Sequence, residues 1–185
     1  MIGQMPISEP IRLVPYDPVW PAVYQAEAAR IRPVSRVIEN IEHFGSTAIP
    51  GLLSKPTIDI MASVSVLTAA GDLATWLQED GYEEMSGNFA FRRFFRKSAS
   101  PVGPSFHLHL VEAPAWPNKS ERLFRDWLLS HPRAVAEYAA LKSDLASRFP
   151  EDREAYTDAK SDFIRAIVNE ARASRRLPPL TDWEE

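Results

Sequence analysis

The stretch Glu42-His43-Phe44-Gly45-Ser46-Thr47-Ala48-Ile49-Pro50-Gly51, followed by Lys55-Pro56-Thr57-Ile58-Asp59-Ile60, sets a small-residue turn ahead of an isolated acid in an apolar run. Two glycines and a serine let backbone N–H groups close on an anion. Ile58 and Ile60 make Asp59 costly to bury without a partner. These types and spacings read as a phosphate and metal site, with Gly45 and Ser46 on phosphate and Asp59 on a cation. Arg92, Arg93, Arg96 and Lys97 add a concentrated positive charge. On a strand, Arg92, Phe94 and Arg96 share one face, and Arg93, Phe95 and Lys97 the other. Guanidinium groups suit phosphate oxygens, and Lys55 supplies a mobile point charge. Tyr156, Lys160 and Phe163 lie on successive turns of one helical face, so Lys160 either reaches ligand phosphate or pairs with Asp126.

Each of these residues also has a plain structural reading. Gly45-Ser46 fits a strand-to-helix turn with a serine N-cap. Asp59 fits a buried partner for Arg93 or Arg96. His107 and His109, two apart, fit a satisfied pair lining a sheet face, and His43 fits a residue that orients the turn by hydrogen bonding. Trp116, Trp127 and Tyr138 read as helix-packing residues rather than a base-stacking platform. Several chemistries are excluded outright. Ser46 lies in Gly-Ser-Thr, not in a Gly-x-Ser-x-Gly elbow, and the chain has neither a Gly-x-x-x-x-Gly-Lys-Ser/Thr loop nor a dinucleotide glycine fingerprint.

The elements that must position these groups follow from periodicity. Ile11 to Val14 reads as a short strand or extended arm, and residues 18 to about 32 as a helix that Pro33 ends. Val37 to Phe44 returns to strand character, and Thr57 to Val64 is an apolar interior strand interrupted by Asp59. Leu67 to Gln78 is an amphipathic helix closed by Asp80-Gly81. Tyr82 begins a strand, Ser86-Gly87-Asn88 is a turn, Phe89 to Phe95 is a strand, and Phe106 to Val111 alternates as another. The remainder is helical: one helix from Asn118 or Ser120 through Leu129, one over Pro132 to Phe149, and a third from Pro150 to about Arg175, with Trp183-Glu184-Glu185 ending a peripheral tail. This is an α/β arrangement, a mixed sheet with a crossover helix ahead of a helical segment.

A chain of 185 residues holds one core, and a domain of this size buries roughly 70% of its unfolded surface. Its 45% hydrophobic and 25% charged residues are those of a globular protein. The absence of cysteine excludes disulfides, thiolate nucleophiles and Cys-ligated zinc. No window approaches the ~20 apolar residues of a membrane span, and no basic segment with an apolar run opens the chain. We therefore expect a cytoplasmic protein with no membrane partner. The net charge of -4 argues against general nucleic-acid binding and in favour of a small phosphorylated ligand.

The turn and Asp59 segment, together with Arg93-Phe94-Phe95-Arg96-Lys97, His107-Leu108-His109, Phe124-Arg125-Asp126-Trp127-Leu128 and Tyr156-Thr157-Asp158-Ala159-Lys160, resembles the GrpB-like (UPF0157) family of the nucleotidyltransferase superfamily over about residues 10 to 172. That family includes modules fused to dephospho-CoA kinase. The resemblance implies one domain over 1–185, with a nucleotidyltransferase-like mixed sheet and crossover helices at 10–112 and C-terminal helices at 118–175. The superfamily pattern has a Gly-Ser turn, a strand bearing Asp-x-Asp and a third carboxylate on a neighbouring strand, which hold divalent metals on a triphosphate. Gly45-Ser46 and Asp59 match its first two elements, but Met61 stands where the second acid belongs. A thioether does not replace carboxylate for hard magnesium. His107 and His109 can instead complete a 2-His-1-carboxylate set with Asp59, which favours zinc, manganese or iron over magnesium. The implied activity is metal-dependent nucleotidyl transfer on a nucleotide or phosphorylated small molecule. Its expected cofactors are a divalent metal (magnesium, manganese or zinc) and a nucleotide triphosphate. Asp59, Ser46 and Lys55 would be catalytic, and Gly45, Ser46, Lys55, Arg93, Arg96 and Lys160 would hold phosphate. Asp59, His107 and His109 would hold metal. The alternative is a non-catalytic nucleotide-binding or regulatory protein that lacks the second carboxylate.

Overall fold

A computed structural model describes residues 10–34, 36–86, 91–101 and 103–180. Five strands, β1 (Ile38–Phe44), β2 (Thr57–Val64), β3 (Glu83–Glu84), β4 (Arg92–Lys97) and β5 (Ser105–Glu112), form one mixed sheet in the order β1-β2-β5-β4-β3. Only β2 and β5 run parallel. They occupy the middle of the sheet, and their residues are the most apolar, as expected of strands covered on both faces. The α/β reading of a mixed sheet followed by helices describes this architecture.

Strand pairing divides the sheet into two faces. Ile41, Ile58, Ile60, Phe95, Leu108 and Leu110 look toward α1 (Trp20–Ile31) and α2 (Gly71–Glu79) and form the main core with Trp20, Ile31, Leu73 and Leu77. A charged group is sealed beside that core. Buried Glu27 accepts from the Tyr82 hydroxyl at 2.9 Å, from Arg30 at 3.0 Å and from Lys97 Nζ at 3.3 Å, and Lys97 also reaches Asp80 at 2.7 Å. These pairings fasten α1, the end of α2 and β4 together. The opposite face carries Phe44, Asp59, Met61, His107, His109, Phe94 and Arg96 and is partly roofed by α3 (Ser120–Ser130), α4 (Pro132–Arg148), α5 (Arg153–Asp158) and α6 (Ser161–Ser174).

Several expected boundaries move. Ile11–Val14 is the extended arm of the two forms expected: Val14 bridges to Ser54, and the Ile11 N–H reaches the Pro150 carbonyl at 2.8 Å. The strand expected from Tyr82 shrinks to β3, because the Tyr82 N–H closes the end of α2 on the Leu77 carbonyl at 2.9 Å. The third C-terminal helix is two helices. Asp152 caps α5 by accepting from Ala155 N–H at 2.9 Å, the turn closes with Lys160 N–H on the Thr157 carbonyl, and α6 starts afresh at Ser161. Neither Asn118 nor Ser120 caps α3; Lys119 holds the cap position without a side-chain cap bond. Gly87 and Asn88 of the expected turn, Phe89 of the expected strand and the Trp183 tail lie outside the described residues. Among the described residues no helix is long and apolar enough to cross a membrane.

Candidate functional site

The site begins where β1 ends. Phe44 pairs with Asp59, and the next residue, Gly45, turns the chain at φ +70°. A Cβ on Gly45 would stand 2.2 Å from Asp59 Oδ2, so the turn closes on the carboxylate only because this residue has no side chain. Thr47 clamps the turn: its hydroxyl donates to the Thr57 carbonyl at 2.9 Å, and its oxygen receives the Nε2–H of His43 at 3.0 Å. Tyr24 stacks on the His43 ring at 4.9 Å. Burial holds His43 down at about 4, so it stays neutral and orients the turn. Ser46 is not an N-cap. Gly45 precedes the short turn without a side-chain cap bond, and the Ser46 side chain lies close enough to Tyr138 of α4 to oppose the rise in its pKa that burial causes.

Asp59 meets His107 directly across the parallel ladder, with Nδ1 3.2 Å from Oδ1. The next pair on this face is Met61 and His109. Met61 is fully buried in a cluster with Phe44, Val111 and Trp116. The His109 ring stacks on Phe94 at 4.5 Å, and its Nδ1 lies 3.4 Å from an Arg92 nitrogen, so that face of the ring accepts from a cation. Burial and Arg92 hold His109 well below the usual imidazole range. His107 thus lies against Asp59, whereas His109 belongs to an aromatic and arginine cluster one step along the strand. Among the described residues no three His, Cys, Asp or Glu side chains converge on a common point. The paired divalent ions implied by the superfamily do not fit this donor set, because the second acid is a thioether packed in hydrocarbon.

The cations divide according to strand face. Arg93 lies on the helix-packed face, where it bonds Glu84 at 2.6 and 2.8 Å and the Ala70 carbonyl at 3.2 Å; the expectation that it joins Arg96 at the phosphate site is corrected by the two-residue period of the strand. Arg96 is exposed opposite His107, on the Asp59 face. Lys160 does not pair with Asp126, which is taken by Arg125 at 2.7 Å and Arg175 at 3.3 Å. Instead Lys160 and Lys55 share the ring of Tyr156, with Nζ atoms 4.2 and 5.1 Å from its centroid.

A third lysine joins them. Lys142 of α4 is only 3% exposed; its Nζ donates to the Leu53 carbonyl at 2.7 Å and lies 5.3 Å from the Tyr138 ring centroid. Among the described residues none of the three lysines has an ion-pair partner. Burial is the main cause of their lowered pKa values, about 8 for Lys55 and Lys160 and about 7 for Lys142; repulsion adds to it, from Arg153 and Arg96 at Lys55, from Lys160 and Lys55 at Lys142, and from Lys55 and Arg153 at Lys160, and Asp59 opposes it. The Tyr156 hydroxyl is buried without a hydrogen-bond partner, and burial pushes its pKa up to about 12. Sequence reasoning placed Tyr156 on the Lys160 face but missed Lys142 and read Tyr138 only as packing. Their only signal was a lysine and a tyrosine one helical turn apart in a segment already read as packing.

Two predictions follow from this geometry. Gly45→Ala must strain a positive φ, at about 1–2 kcal/mol, and also push into the Asp59 carboxylate. Its unfolding free energy should fall by at least that amount, read as a lower urea midpoint at unchanged slope; an unaltered midpoint would show that the turn relaxes freely. The lysines predict a pH dependence. Their folded pKa values lie below the unfolded reference of 10.5, so from about pH 7 upward the unfolded chain holds protons that the folded chain has released. Stability of the ligand-free protein should therefore rise between pH 7 and 9, and Lys142→Met should flatten that rise in urea titrations.

Residues 10–170 match the family described as GrpB protein. The chain is 39% identical over 172 residues to a UPF0157 protein of Pseudomonas aeruginosa, covering 92% of this chain and 71% of that one. It is 32% identical over 190 residues to a dephospho-CoA kinase of Mycolicibacterium paratuberculosis, covering 88% of this chain but only 46% of that protein's length. The crystal structure of conserved protein GrpB from Enterococcus faecalis has the same fold, with a TM-score of 0.79 at 27% identity over 89% of this chain and 99% of that one. The chain that carries the glycine turn, Asp59 and the lysines above is a member of the GrpB family.

Proposed function

We propose that this protein binds a nucleotide or phosphorylated small molecule, with the phosphate arm lying between the Gly45-Ser46 turn and Lys55, Lys142 and Lys160. The observation that carries this reading is that three lysines from three separate elements gather beside one carboxylate without ion-pair partners among the described residues. Bringing ammonium groups out of water is costly unless an anion completes the site, and a phosphate arm supplies that anion. Ser46 and Tyr138 offer hydroxyls at the inner end, and exposed Arg96 offers a guanidinium at the rim. The relative named dephospho-CoA kinase supports a phosphorylated, nucleotide-like ligand, since it matches this domain over part of its own length. Of the two activities weighed from the sequence, the geometry favours nucleotide binding over two-metal nucleotidyl transfer.

Calorimetric titration with ATP, CTP and dephospho-CoA tests this reading. At least one should bind, and Lys142→Met and Lys160→Met should each weaken it roughly tenfold or more, the scale of about 1.5–3 kcal/mol for hydrogen bonds to charged groups. Heat-free titrations for all three ligands with folded protein would refute it. A second reading, group transfer from the bound nucleotide, is favoured by one feature: Asp59 and His107 sit together 3.2 Å apart and both remain partly open to solvent. Release of phosphate or pyrophosphate that stops in Asp59→Asn would establish it; equal release from the variant would exclude it.

A further inference from the structure

Resting on the phosphate-binding reading above, we infer that the site takes its ligand free of metal: the substrate class is an uncomplexed nucleoside polyphosphate or related polyphosphate ester, neutralised by Lys55, Lys142 and Lys160. Paired magnesium ions on a triphosphate have two tasks, to cancel phosphate charge and to anchor the phosphates to protein carboxylates. Among the described residues no group of ligands stands ready for the second task. The residue that shares the Asp59 face two positions on is Met61, fully buried against Phe44, Val111 and Trp116, so that ground is hydrocarbon. The residue beside it on β5 is His109, which is occupied by Arg92 and stacked on Phe94.

The first task is provided for directly. Lys55 arrives from the loop before β2, Lys142 from α4, and Lys160 from the junction of α5 and α6, where the break between those helices leaves it on the Tyr156 ring. The Asp59 carboxylate acts on all three. The buried Tyr156 hydroxyl is a donor without an acceptor, and a phosphate oxygen would supply one. Magnesium and these ammonium groups compete for the same β and γ oxygens. A magnesium complex arrives with part of its charge already cancelled and its oxygens already used. It therefore gives less attraction to the lysines while finding no carboxylate pair to hold the ion.

The test compares the affinity of tripolyphosphate and of ATP for the wild-type chain in EDTA and in excess magnesium at constant ionic strength. Both probes should bind roughly tenfold or more tightly in EDTA, and in Lys160→Gln that advantage should shrink severalfold. Equal or tighter binding in magnesium overturns this inference alone and leaves the phosphate-binding reading standing. Absence of binding in both buffers overturns the parent reading and this one with it. A Lys160→Gln variant that keeps the whole EDTA advantage also counts against the inference, because the lysine would then have no part in it.

Discussion

The approach of the Gly45 backbone to the Asp59 carboxylate is the contact from which the rest of the site follows. It exists only because a residue without a side chain turns at positive φ directly beside an acid. Thr47 then ties the turn to the Thr57 carbonyl, so the end of β1 and the start of β2 are fixed to each other at both ends of the connecting loop. That loop has no freedom except outward. Its Ile49 and Leu52 are buried with Leu128, Tyr138 and Ile167 of the C-terminal helices, and it delivers Lys55 and the Leu53 carbonyl beneath α4 and α5. The turn thus organises the carboxylate locally and recruits the helices that carry the distant lysines.

The molecule treats its other clustered charges quite differently. Glu27, Asp80, Lys97 and Arg30 satisfy one another on the helix-packed face, and Glu42 is held by Arg122 at 2.9 Å and Arg125 at 2.7 Å, with Asp126 accepting from Arg125 Nε and Nη2. Acids and bases are matched in both groups, as the energetics of desolvated charge require. Against that pattern, the lysines around Tyr156 are an exception, because no acid was brought to meet them beyond the shared Asp59. A protein that pairs its charges carefully elsewhere leaves this group incomplete at the one place where a backbone turn and two tyrosine rings also gather. Such an imbalance is stable only at the expense of lowered pKa values, and an incoming anion relieves it.

The sequence carried the local half of this arrangement. Gly45-Ser46, Asp59 and the strand around it could be read because a turn and an alternating strand encode their geometry within a few residues. The period of β4 was equally legible, and it separates Arg92 and Arg96 from Arg93 and Lys97. The sequence did not say which of the two faces would receive α1 and α2, so Arg93 was assigned to phosphate although it ends on Glu84. Lys142 was invisible for a different reason. In an amphipathic helix a lysine is ordinarily a solvated residue, and its burial depends on a carbonyl 89 positions earlier in the chain. Lys160 was singled out but placed on a continuous helix. The actual break, set by the end of α5 at Asp158, turns it onto Tyr156 rather than along the α3 surface where Asp126 lies.

Met61 and the lysines are best understood as a coupled choice. A carboxylate at position 61 would share the Asp59 face and would have to displace the packing of Phe44, Val111 and Trp116, or else desolvate a second charge among them. With methionine there, the apolar cluster is complete and Asp59 stands as a single acid. If the lysines hold phosphate as proposed above, a chain without the carboxylate pair for two metals relies on those cations instead. The thioether is therefore a packing residue of the Phe44, Val111 and Trp116 cluster rather than an empty ligand position.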